Sequence, residues 1–442
     1  MRLCFVCTLW LTPAWAASRC SLKAAPTGGA RGSAGSGSGS ASGSTSANSG
    51  AFIAAAWYAA WHSSDYTLSD VSWSSYSSMI YAFATTTPDV NTLGLASSDE
   101  ELLPQFVQTA QKNDVNAVLS IGGWGGSEYF STAVGSAQNR TAFAKTVMAA
   151  VTKYSLDGVE FDWEYPAKQG AGCNIVSTDD SANFLAFLKE LRSQDGADNL
   201  LVSAAVSLTP FIGSDGQPMS DVSAFAEVLD TIEVMNYDVW GSWSSTVGPN
   251  APLYDDCAPE AEGSAASALA AWTGAGFPAD QIILGVASYG HSFSVTKTSA
   301  LLSNGSLALY PSFNSDNQPA GDKWDSTADG ATDGCGNADT VGGVFDFWGL
   351  VDGGFLDKSG SAVMGIDYIY DECSQTPFVY NTSTQVMVSY DDMTSFAAKG
   401  QWIQSNGLAG FAMWEAGGDY QDILLNAISS GVGIDKSKCS SS

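Results

Sequence analysis

The stretch from Leu156 to Pro166 reads Leu-Asp-Gly-Val-Glu-Phe-Asp-Trp-Glu-Tyr-Pro. Between Gly158 and Glu164 acids alternate with bulky apolar residues, so on a strand Glu160, Asp162 and Glu164 share one face while Val159, Phe161 and Trp163 share the other. Same-face neighbours on a strand lie about 6.5–7 Å apart, within electrostatic reach where water is scarce. Three carboxylates so placed cannot all ionise. The array keeps a proton at neutral pH, and a retained proton is what a poor leaving group such as a bridging oxygen requires of a general acid. The competing reading is an antiparallel strand with its acidic face in water. Against it stand the helical segment that feeds the strand, the Tyr-Pro loop that ends it and the strand-then-helix units around it.

Those units begin near Phe52. Ile53–Tyr58 and Ser78–Ala84 are almost continuously apolar, as strands buried on both faces are. Leu102, Phe106 and Ala110 supply a helical stripe before a third strand at Ala117–Ile121. Phe143, Val147 and Val151 mark the helix that leads into the acidic strand, and Phe184, Phe187, Leu188 and Leu191 mark the helix after it. Strands at Leu200–Ser207, Ile232–Asn236, Ile282–Ala287 and Leu408–Trp414 bring the total to eight, which predicts an α/β fold, a closed (β/α)8 barrel. An open doubly wound sheet would carry a Gly-rich loop after its first strand, and Trp57-Tyr58-Ala59-Ala60-Trp61 is not one. Roughly a hundred residues separate the seventh strand from the helix at Thr394–Ser405, more than a barrel connection needs. They predict a small α+β subdomain inserted over 292–390, the alternative being an irregular loop stapled by a disulfide.

Composition bounds the rest. The 442 residues carry 46 acidic and 17 basic side chains, a formal net charge of −29, which argues against nucleic acid or an anionic membrane as partner. Strong acidity also serves to keep an exported protein soluble. Only two histidines, His62 and His291, are present, so metal clusters and Ser-His-Asp arrangements lack parts and neither metal nor cofactor is expected. Residues 1–16 read as a secretory signal, with Arg2, an apolar run and Ala14-Trp15-Ala16 as the cleavage site. Residues 17–50 are largely a Gly/Ser-rich linker, 51–430 the catalytic barrel and 431–442 a tail. Removal of the signal leaves Cys20, Cys173, Cys257, Cys335, Cys373 and Cys439, an even number that suits disulfides in an exported chain. Pairing of Cys173 with Cys257 and of Cys335 with Cys373 would tie loops that a barrel brings together, while Cys20 and Cys439 either pair or stay free. Sequons at Asn139, Asn304 and Asn381 fit the same extracellular compartment.

Asp157-Gly158-x-Glu160-x-Asp162-x-Glu164 resembles the Asp-x-x-Asp-x-Asp-x-Glu signature of the family-eighteen glycoside hydrolases, the chitinase family, with Glu160 where the family usually has Asp. Met235-Asn236-Tyr237-Asp238 is similar to the family's Met-x-Tyr-Asp motif, and Ser120-Ile121-Gly122-Gly123 to its Ser-x-Gly-Gly motif. The resemblance implies a retaining, substrate-assisted chitinase acting as a monomer on chitin or chito-oligosaccharides. Glu164 would be the general acid, Asp162 the holder of the acetamido N–H, Glu160 its relay partner, Tyr237 a donor to the acetamido oxygen and Asp238 a sugar or acetamido contact. Met235, Gly122, Gly123, Trp124, Tyr165, Trp414 and Trp57 would meet the sugar, with Trp61, Trp240 and Trp243 as further aromatic candidates. His291 stands where many relatives have Arg. An endo-β-N-acetylglucosaminidase on N-glycans and a chitin-binding lectin without turnover remain as alternatives.

Overall fold

The computed structural model describes residues 52–325, 332, 335–338 and 340–434. The expected signal segment, the whole expected linker, Cys20 and Cys439 lie outside the described residues. Eight strands, β1 (Ile53–Ala59), β2 (Ser78–Ala84), β3 (Asn116–Gly122), β4 (Gly158–Asp162), β5 (Leu201–Val206), β6 (Thr231–Val234), β7 (Ile282–Ala287) and β13 (Gly410–Trp414), close into a barrel. Five more form a separate sheet: β8 (Tyr289–Ser294), β9 (Val344–Asp346), β10 (Asp367–Asp371), β11 (Thr376–Asn381) and β12 (Val386–Ser389).

Every neighbouring pair in the barrel is parallel, in the order β1-β13-β7-β6-β5-β4-β3-β2. Parallel strands need crossovers, and helices such as Asp99–Lys112, Ala137–Tyr154 and Asp180–Arg192 supply them. The first of these buries Leu103, Phe106, Val107 and Ala110, a stripe at helical spacing. The second opens on Ser136, whose hydroxyl accepts the Asn139 N–H, and that turn also engages the Asn139 side chain through a hydrogen bond to the Thr132 carbonyl. The Asn139 sequon is therefore built into a helix start, whereas Asn304 is exposed.

Strand alternation sorts the barrel residues into two cores. Val159, Phe161 and Trp163 join the outer layer under the helices, together with Leu119, Val202, Ile232 and Leu284. Ala55, Trp57, Ile80, Val118, Ala205, Ile283 and Ala412 fill the interior, the side toward which Glu160 and Asp162 point.

The inserted sheet runs β10-β11-β12-β8-β9 with antiparallel pairing, so the α+β insertion is a folded subdomain. It starts at Tyr289, just past β7 and earlier than position 292, because β8 leaves the barrel almost at once to pair with β12. The disulfides correct the expected pairing: they are Cys173–Cys335 and Cys257–Cys373, with Cα–Cα distances of 5.4 and 6.3 Å. Each joins a barrel loop, after β4 or after β6, to the subdomain, whereas the expected pairs would have joined the two barrel loops to each other and closed a loop within the subdomain. A second seam runs from the subdomain to the loop after β1, where Lys323 meets Asp65 at 2.6 Å and the Trp324 ring stacks on His62 at 3.9 Å.

Candidate active site

A groove of about 1420 Å³ crosses the carboxyl ends of the strands, lined by Trp61, Phe83, Gly122, Trp124, Asp162, Glu164, Tyr165, Met235, Tyr237, Asp238 and Trp414, among others. β4 delivers the acids. The strand itself stops at Asp162 and not at Glu164, as the sequence pattern suggested; Glu164 stands two residues beyond, at the loop. Its backbone is fixed on both sides: the N–H donates to Ser127 Oγ at 3.1 Å, and the carbonyl accepts Asn174 Nδ2 at 2.8 Å. At the opposite end of β4, Asp157 accepts the Ala117 N–H at 2.9 Å and so ties the start of the strand to β3.

Gly122 and Gly123 earn their place through backbone approach. Gly122 has φ +119°, and a Cβ there would collide with the Asp162 carbonyl oxygen, which accepts the Gly123 N–H at 2.8 Å. Gly122 lines the groove, while Gly123 is buried and acts through β4.

Burial sets the electrostatics. Glu160 is 0 % exposed and its carboxyl is pushed up to about 7 by loss of water, an effect opposed by the Trp57 N–H and the Ser120 hydroxyl. The Ser120 Oγ nonetheless makes no hydrogen bond within ordinary limits, so Trp57 Nε1, 3.0 Å from Glu160 Oε2, is the contact that counts. Asp162 is raised well above the usual carboxylate range, by burial first and then by the charges of Glu164, Glu160 and Glu233. Glu164 is pushed up to about 7, again by burial. The Tyr237 hydroxyl is raised by burial and by the charges of Asp162, Asp238 and Glu164, so it stays a donor.

Asp238 leaves the extended path at φ 55° and lines the groove. Its Oδ1 is held by the Tyr289 hydroxyl and by His291 Nε2, both at 2.7 Å. The sequence reading did not foresee this two-point grip from β8, nor the buried Glu233 on β6; inward parity of Thr231, Glu233 and Met235 was the available signal.

The aromatic candidates divide by exposure. Trp61, Trp124 and Trp243 are 55, 58 and 61 % exposed. Trp414 stacks on Phe83 at 5.6 Å and Phe83 on Trp61 at 5.9 Å, forming a continuous apolar floor at one end of the groove. Trp243 sets its ring edge against His291 at 5.2 Å. Trp57 and Trp240 are each 1 % exposed. Trp57 is thus a correction: its ring is interior filling and its indole N–H serves Glu160, so it does not face a bound sugar.

Comparison with known proteins agrees with this geometry. Residues 54–419 match the model for glycosyl hydrolases family 18. A protein of Moniliophthora roreri described as a chitinase-like effector is 51 % identical over 84 % of this chain and 91 % of its own length. Chitinase A1 of Niallia circulans is 28 % identical over 71 % of this chain and 42 % of its own. The crystal structure of a chitinase from Rhizomucor miehei superposes with a TM-score of 0.75 at 31 % identity, covering 86 % of this chain and 99 % of that one. A closed parallel barrel with an inserted α+β sheet, an inward ladder of acids on its fourth strand and these matches together make the chain a member of glycosyl hydrolase family 18.

Proposed function

We propose that the protein is an exported chitinase that hydrolyses β-1,4 bonds between N-acetylglucosamine units with retention. The observation that carries this reading is Glu164, the one ladder acid set at the loop facing the groove, with a carboxyl that keeps its proton up to about pH 7 above a neutral Asp162. Glu164 donates that proton to the leaving glycosidic oxygen as the C–O bond breaks. The acetamido oxygen of the same sugar supplies the electron pair to the anomeric carbon, since this family is the substrate-assisted exception among glycosidases. Asp162 holds the acetamido N–H, and Tyr237 donates its hydroxyl to the acetamido oxygen. Glu164, now a carboxylate, takes a proton from the water that opens the cyclic intermediate, which restores the starting state.

Exposed Trp61 and Trp124 along an open groove suit a linear chain of flat sugar faces better than a branched glycan. Export is supported by the apolar leader and the two disulfides, and no helix among the described residues is long and apolar enough to cross a membrane. A second reading, capture of chitin fragments without turnover, is favoured by the description of the Moniliophthora relative as chitinase-like and by the Glu160 replacement.

Assays of chito-oligomers and a high-mannose glycoprotein with the wild type and Glu164→Gln separate these readings. The expected result is turnover of the oligomers alone, a fall of at least about 100-fold in the variant, and retained sugar binding. Cleavage of only the glycoprotein would move the assignment to an endo-β-N-acetylglucosaminidase, and binding without turnover in the wild type would support the capture reading.

A further inference from the structure

β6 carries one more carboxyl that the reaction above does not use. Glu233 is 3 % exposed. Ile232 and Val234 on either side of it belong to the outer core, while Met235, two positions on, packs in the interior. Period-two alternation therefore points Glu233 into the barrel.

Register shows what lies between it and the ladder. Asp162 pairs with Ala205 and Ala205 with Glu233; one step back along the strands, Glu160 pairs with Ser203 and Ser203 with Thr231. The intervening strand thus presents only a methyl and a hydroxymethyl group, too short to separate the carboxyls of β4 from that of β6. On β7 the partner of Glu233 is Ile283, and the remaining interior residues include Trp57, Ile80, Val118, Ser120 and Ala412, none of them basic. Glu160 is the neighbouring charge that raises Glu233, and Glu233 in turn raises Asp162.

Each of these two carboxyls has one oxygen engaged and one without a partner. Glu233 Oε1 accepts from Thr231 Oγ1 at 3.1 Å, and Glu160 Oε2 from Trp57 Nε1 at 3.0 Å. Glu233 Oε2 and Glu160 Oε1 are buried and unbonded, as is Asp162 Oδ1, the oxygen left for the acetamido group. Two ionised carboxylates without a cation in such an interior are prohibitively costly, and two orphan oxygens are resolved by a single proton between them.

We propose that Glu233 is a positioning residue for the hydrolytic reaction: a carboxyl kept neutral in the barrel interior, whose O–H donates to the free oxygen of Glu160 and holds Glu160 as an anion. With both oxygens of Glu160 engaged, the proton of the Glu160–Asp162 pair stays on Asp162, the member that meets the acetamido group. Glu233 keeps its own proton throughout. The burial and the neighbouring charge that raise its carboxyl well above the usual range agree with this state. The inference rests on the hydrolase reading, and its test includes a measurement independent of turnover.

The full-chain protein is compared with Glu233→Leu and Glu233→Gln through the pH profile of kcat/KM on a chito-oligomer, thermal unfolding, and infrared spectra of the carboxylic C=O stretch. Loss of the donor in Glu233→Leu destabilises anionic Glu160, so the acid limb of the profile moves up by about one pH unit, with the loss in kcat rather than KM. Glu233→Gln, which restores an N–H donor, returns the limb to the wild-type position, and one protonated-carboxyl band disappears from its infrared spectrum. A limb that moves to lower pH in Glu233→Gln would mean that Glu233 is ionised, and overturns the proposal. So does a limb unmoved in Glu233→Leu with only lower thermal stability, the mark of a packing role. If Glu233→Leu does not fold, the infrared comparison of wild type with Glu233→Gln decides alone: loss of the band supports the neutral carboxyl and its retention refutes it. Loss of the band in a protein that turns over no sugar would sustain the neutral carboxyl while refuting the hydrolase reading.

Discussion

Asp162 and Glu164 titrate in the direction opposite to surface acids, since burial holds each protonated above its unfolded range. For Glu164 the shift runs from 4.5 to about 7. Between those values the folded chain binds more protons than the unfolded one, so stability is full below the unfolded pKa and is lost as pH rises through the folded one. The ladder should thus withdraw on the order of a few kcal/mol between about pH 5 and 8. Calorimetry should show Tm falling over that interval, with a shallower slope in Glu164→Gln. A Tm that rises with pH across the interval would contradict the buried, protonated state. The ladder was legible in the sequence because three acids at period two leave a pattern. Glu233 was not, because one acid between Ile232 and Val234 looks like an isolated polar residue until the register of β4, β5 and β6 is known. Trp57 misled for a related reason: an aromatic ring suggests a sugar, and closure of the barrel is what brings its N–H to Glu160.

At the scale of elements, apolar runs of strand length separated by helical stripes were enough to place all eight barrel strands, with boundaries shifted by a residue or two where loops begin. Disulfide connectivity was not legible. Four cysteines allow three pairings, and the choice depends on how the subdomain sits on the barrel, which pattern alone does not encode. The observed bonds staple β-sheet to barrel at two points, and Cys257–Cys373 closes a sequence separation of 116 residues. Replacing both of these cysteines by serine should lower unfolding stability by about 2–5 kcal/mol, read from the denaturant midpoint at constant m. An unchanged midpoint would show that Cys173–Cys335 together with the Lys323–Asp65 and Trp324–His62 seam holds the subdomain without the second bond.

The whole molecule unites these parts. A closed parallel barrel buries one face of β4 in its interior, and that enclosure turns a row of acids into a proton store; the same row on an open sheet would be a solvated, ionised face. The strand ends point the store into the groove, where Tyr237 and Trp414 complete the wall. If Glu164 supplies the proton while the acetamido group attacks from the opposite face, two inversions occur at the anomeric carbon and configuration is kept. The most direct test is therefore the anomeric form of the first product, followed by proton NMR during hydrolysis of a chito-oligomer before mutarotation. The account predicts the β-anomer; first appearance of the α-anomer would mean direct attack by water and contradict it.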